Sequence, residues 1–169
     1  MVPTFNPAFA ALVAGAVVAS IVDIRTRRIP NELTAAMATI GIGLAAMGFS
    51  GMSVWASIGG LALGLALMMP GHLLGATGAG DVKLMAAVGA VVGPSTVVTA
   101  FLLTALAGGV LAVAVALRRR QLVNAIAGTR RLIAAPSGAH QEILAAPAAH
   151  RFAYGPAIAI GSVLAGLMG

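Results

Sequence analysis

Charge in this chain is confined to a few stretches, and that confinement limits its fold more than any other feature. Apolar windows fall at Phe5–Val22, Leu33–Phe49, Val54–Met69, Val82–Val92, Val97–Leu117 and Phe152–Leu167. With these numbered one to six, all ten basic residues lie in or at the edges of connections 1–2, 3–4 and 5–6: Arg25, Arg27 and Arg28; Lys83; then Arg118, Arg119, Arg120, Arg130, Arg131 and Arg151. The four acids and three histidines follow the same pattern. "MVPT", "SGMS", "GPST" and the C-terminal end carry no charged side chain. Six transmembrane helices would put every charge on one side. The positive-inside rule makes that side cytoplasmic and leaves both termini outside. A miscounted span would scatter charge over both faces.

Composition agrees with an all-α polytopic membrane protein. Of 169 residues, 60% are hydrophobic and 8% charged, against about 25% charged in a soluble domain, and the mean hydropathy is +1.03. The length fits one unit, residues 1–169. A net charge of +6 and a pI near 11.7 follow from topology, so no nucleic-acid partner is expected. The absence of cysteine excludes a disulfide framework, a thiolate zinc site and a cysteine nucleophile. No basic residue precedes Arg25, so the first window reads as a retained helix rather than a cleaved signal peptide.

Breaks are expected at Pro30-Asn31, Ser50-Gly51, Pro70-Gly71 and Gly93-Pro94-Ser95. A helix from Asp81 to Gly93 would cover only about 20 Å, so its start is expected within the bilayer. The one long connection, about 118–151, carries Leu122, Ile126, Leu132 and Ile133 among Arg130 and Arg131. It reads either as a short helix on the anionic inner leaflet or as a solvated basic linker. Gly60 and Gly64 form a GxxxG that permits close helix packing, and Trp55 reads as an interfacial anchor.

Two acids sit where apolar runs meet these connections: Asp23 in "DIRTRRIPN" and Asp81 in "GAGDVKL". With helix one running from about Ala8 to Arg28, Asp23 lies roughly 7 Å below Arg28, whose chain and those of Arg25 and Arg27 can snorkel to the phosphates. An aspartate at mid-membrane costs about 2.5–3.5 kcal/mol, and less near the interface. Each acid could pair with a cation, Asp23 with Arg27 and Asp81 with Lys83 or an arginine. Two such acids on one side, in a chain with four, point instead to a shared site. Two carboxyls close together in a desolvated pocket cannot readily both ionise, and so share a proton. The ionised member can then remove a proton from water while its partner hydrogen-bonds a peptide carbonyl, as in aspartic proteases. This needs neither a metal nor a cofactor. Gly75, Gly78 and Gly80 leave the backbone before Asp81 open to an extended peptide. Lys83 would oppose proton sharing if it faced Asp81, and Pro30 and Asn31 are expected to end the first connection and cap helix two. His72, His140 and His150 are too widely spaced to suggest a metal set.

These segments resemble the type IV prepilin peptidases, aspartic endopeptidases of the bacterial inner membrane. "DIRTRRIPNELT" is similar to the family's aspartate followed seven residues later by Pro-Asn or Pro-Asp. "GAGDVKLMAAVGAVVG" is similar to its GxGD block with lysine two residues on, and "FAYGPAIAIG" to its C-terminal apolar Gly-Pro segment. The resemblance implies removal of short basic leaders from prepilins and pseudopilins at the cytoplasmic face. It implies Asp23 and Asp81 as the catalytic pair, Gly78 and Gly80 as motif glycines and Lys83 as the accompanying lysine. Larger members carry a cysteine-bearing insert and methylate the new pilin N-terminus. Here only four residues separate Arg28 from Leu33, so the likeness is to short peptidases of Flp/Tad pilus systems and does not extend to methyl transfer. Two other classes also accommodate the acids: a small proton-coupled transporter or channel, and a scaffold subunit with two incidental ion pairs.

Overall fold

The computed structural model describes residues 6–118 and 154–168. The long basic connection, with its expected amphipathic segment, His140 and His150, therefore lies outside the described residues. Those that are described form five helices and no strands: α1 (Pro7–Thr26), α2 (Asn31–Ala46), α3 (Val54–Leu73), α4 (Ala79–Arg118) and α5 (Gly155–Met168). Local chemistry sets most boundaries. Asn6 caps α1 by accepting from the Ala8 and Phe9 amides at 3.0 and 3.4 Å, with Pro7 opening the helix. Ser53 caps α3 by accepting from the Ala56 amide at 3.1 Å.

α1 ends at Thr26, two residues short of the expected Arg28. Arg27 turns into the left-handed region at φ 53° and its amide closes on the Asp23 carbonyl at 2.8 Å. α3 runs through Pro70 to Leu73, where a break was expected at Pro70-Gly71. In the last turn proline removes a single helical bond, and the Leu74 amide still reaches the Pro70 carbonyl at 3.1 Å.

α4 is two helical arms joined at Gly93, whose φ 81° and ψ 176° break the helix. Only glycine adopts that conformation readily, and Pro94 behind it disfavours helical backbone at residue 93. The windows Val82–Val92 and Val97–Leu117 thus fall on separate arms. Among the described residues, three helices are long and apolar enough to cross a membrane: Pro7–Thr26, Val54–Leu73 and Ala79–Ala114. α2 has 16 residues and α5 has 14, about 24 and 21 Å at 1.5 Å each.

The first arm of α4 is the centre of the molecule. From Asp81 to Val91 every residue except Lys83 is buried, and α4 packs against each of the other four helices. Burial on all sides is what a helix apolar all round requires. Within lipid the hydrophobic effect does not drive helices together, so close van der Waals packing must. Glycine supplies it here. A Cβ on Gly60 would collide with the Gly89 carbonyl, one on Gly64 would lie 2.5 Å from the Met85 oxygen, and one on Gly41 would lie 2.8 Å from the Ala90 oxygen. Ser57 adds a buried bond to the Ala90 carbonyl at 2.6 Å. The outward faces are apolar: Val17, Ile21 and Ile24 on α1; Leu102, Leu106, Val110 and Val113 on the second arm; Ile160, Leu164 and Leu167 on α5. The expected GxxxG therefore packs inside the chain.

Gly60→Ala and Gly89→Ala should each destabilise the bundle by about 1–3 kcal/mol, the usual penalty for overpacking. Gly59→Ala, whose Cβ would meet nothing within 4 Å, should not. Unfolding titrations in detergent micelles measure all three.

Candidate active site

Asp23 lies near the end of α1, on the face that buries Ala8, Leu12, Ala16 and Ala19. α5 packs along α1, and its first residue meets the acid: the Gly155 amide donates to Asp23 Oδ2 at 2.8 Å in a buried bond. That amide is one of the unpaired donors that every helix start leaves, at the positive end of the helix dipole. A Cβ at position 155 would stand 2.8 Å from Asp23 Oδ2 and 2.9 Å from Asp23 Cβ. A side chain there would force Asp23 to shift.

Asp81 is the third residue of α4, and its Oδ2 accepts from the Gly78 amide at 2.9 Å. This is the carboxylate half of a capping box, in which the side chain of the third helical residue reaches back to the amide before the helix. The same contact keeps position 78 small, since a Cβ there would lie 3.2 Å from Oδ2. His72 braces the approach to this turn, with Nδ1 3.1 Å from the Thr77 carbonyl oxygen.

Both carboxylates are almost fully enclosed, Asp23 at 5% exposure and Asp81 at 8%, and they are near enough for the charge of Asp23 to act on Asp81. The charge of Asp81 also reaches the half-buried phenol of Tyr154, the residue before Gly155. The start of α5 therefore adjoins both acids.

The remaining motif residues hold the two segments together. Ile29, in the connection after Asp23, is buried against Gly80, where a Cβ would lie 3.1 Å from the Ile29 Cβ. Lys83 Nζ donates to Asn31 Oδ1 at 2.8 Å. This resolves the conflict raised by a lysine beside Asp81, because the ammonium is directed at the first motif. It also corrects the capping role expected of Asn31. Pro30 occupies the cap position of α2 and makes no side-chain bond there, while Asn31 is the first helical residue. Its amide oxygen is turned to Lys83 instead of back to its own helix.

Asp23, Asp81, Gly78, Gly80, Lys83, Pro30 and Asn31 thus converge on one region. Sequence reasoning missed the part played by Gly155. Its one signal was position, inside the quoted "FAYGPAIAIG", because a backbone amide leaves no trace in residue type. Among the described residues no group of three or more His, Asp or Glu side chains gathers where a metal would sit.

A helical membrane protein with two interacting buried carboxylates on separate helices is a recognisable class. A model of the type IV leader peptidase family matches residues 10–113, a range that holds both aspartates and ends before α5. The chain belongs to that family and is a peptidase. No curated protein and no solved structure gives a match.

The Lys83–Asn31 bond is exposed, so its contribution is modest. A double-mutant cycle of Asn31→Ala and Lys83→Met should give a coupling of about 0.5–1 kcal/mol in unfolding. Strictly additive losses would remove the tie between the two segments.

Proposed function

We propose that this protein is a membrane-embedded aspartic endopeptidase that removes the short basic leader from Flp/Tad-type prepilins and pseudopilins at the cytoplasmic face. Asp23 and Asp81 are its catalytic pair. The observation that carries this reading is the burial of both acids, each accepting from a backbone amide, on two segments held together by Ile29 against Gly80 and by Lys83 on Asn31. An incidental pair of Asp81 with Lys83 is disfavoured, because the Lys83 ammonium donates to Asn31.

The chemistry follows from one proton shared by two carboxyls. The ionised carboxylate takes a proton from a water molecule, whose oxygen attacks the scissile carbonyl carbon. The protonated partner donates to the carbonyl oxygen as it gains charge. The tetrahedral intermediate collapses and the C–N bond breaks. The leaving nitrogen receives a proton from the acid that took it from water, and one hydroxyl of the intermediate returns its proton to the other carboxylate, restoring the shared proton. Gly78 and Gly80 shape the site, the first by giving its amide to Asp81 and the second by admitting Ile29. The whole chain, residues 1–169, acts as a single peptidase unit of six spans in the bacterial inner membrane, termini outside.

Co-expression with a small pilin bearing a basic leader tests the activity by the size of the pilin recovered. Asp23→Asn and Asp81→Asn should each slow processing by at least about a hundredfold, the scale of a lost general acid or base, while the protein still inserts. Normal processing by both variants would overturn the reading. An ion flux lost in the same variants, with pilin size unaffected, would assign the acids to transport. Orientation is tested separately: protease added to the cytoplasmic side should cut within 118–151, and protease added outside should not.

A further inference from the structure

We infer that Gly155 is a positioning residue for Asp23: the first backbone amide of α5 fixes the carboxylate, and the missing side chain at 155 admits it. The inference deepens the peptidase reading and rests on it for its kinetic consequence. Gly155 lies beyond residues 10–113, the segment matched by the family model, so the match itself gives it no role.

The local chemistry is specific. A helix start normally offers several unpaired amides, but residue 156 is proline and has none. The amide of Ile158 is already committed to the Tyr154 carbonyl at 3.1 Å. Gly155 is thus the leading amide of α5, and it is aimed at Asp23 Oδ2 at 2.8 Å. Proline in the first turn also presets the helical backbone behind it, so the donor is held by a stiff element. The bond to Oδ2 biases the carboxylate's terminal torsion and with it the direction Oδ1 faces. An alanine at 155 would set its methyl 2.8 Å from Oδ2, 2.9 Å from Cβ and 3.1 Å from Cγ of Asp23. The acid would have to move.

Asp23 and Asp81 are the only aspartates in the chain. Protein labelled with ¹³C at the aspartate carboxyl and held in detergent micelles therefore gives two signals, assigned by Asp81→Asn. Gly155→Ala should displace the Asp23 signal, whereas Gly109→Ala, open at its Cβ, should leave both signals in place. Both signals coinciding with those of the wild type in Gly155→Ala would overturn the inference. With a purified prepilin as substrate, Gly155→Ala should lower kcat on the order of a hundredfold, the scale of a small misplacement of a reacting group, at nearly unchanged KM. Gly109→Ala should cleave normally. A rise in KM with kcat preserved would contradict a positioning role.

If Gly155→Ala fails to insert, the paired variant Asp23→Gly with Gly155→Ala removes all three atoms the methyl would meet. It should insert and unfold close to the Asp23→Gly single variant. An equal loss from Gly155→Ala in both backgrounds would sink the inference. A wild-type protein that cleaves no prepilin would fell the peptidase reading, while the two carboxyl signals would still decide whether Gly155 holds Asp23.

Discussion

A carboxylate taken out of water must find donors or lose its charge, and around Asp23 and Asp81 that requirement organises the fold. An isolated ion in a low-dielectric interior is prohibitively costly. The donors used here are main-chain amides at helix starts, Gly155 for Asp23 and Gly78 for Asp81. An amide donor carries no charge, so it can hold a carboxylate in place without tying it up as a salt-bridge partner would. Because each donor belongs to a helix terminus, the position of each acid depends on how a whole helix is seated. The placement of the acids and the packing are therefore coupled through backbone.

The seat for Asp81 is the first arm of α4. Its enclosure from residue 81 to 91 depends on backbones meeting at Gly41, Gly60, Gly64 and Gly89. Those contacts fix the arm laterally. Gly93 ends it after a few turns, so Asp81 is held by a short rigid piece instead of by one end of a long span. Asp23 is held on the other side by α1 and α5, which pack on each other and on α4. Ile29 against Gly80 and Asn31 with Lys83 then close the gap between the two sets.

Much of this was legible in the residues. Hydropathy identified the helical segments, and Gly93-Pro94 announced its own break because glycine permits a non-helical turn that the following proline favours. The two acids were conspicuous because a charge beside an apolar run demands a reason. Pro70 misled because a proline's effect depends on how many helical bonds lie beyond it, which the sequence does not state. Asn31 misled because its propensity as a cap competed with a partner 52 positions away, Lys83. Gly155 was invisible for a deeper reason. Its contribution is an amide that nearly every residue possesses, and only the neighbour it meets makes that amide matter.

Lys83 is the one exposed residue between Asp81 and Val91, and it is the chain's single lysine, since the other nine basic residues are arginines. Apart from the amino terminus, the protein thus presents one primary amine, placed two residues from an acid of the pair and bonded to the segment carrying the other. Among side chains, a reagent selective for amines would read out this junction alone. The same solitary amine makes the junction a point where acylation from the surroundings would strip a positive charge from the rim of the paired acids.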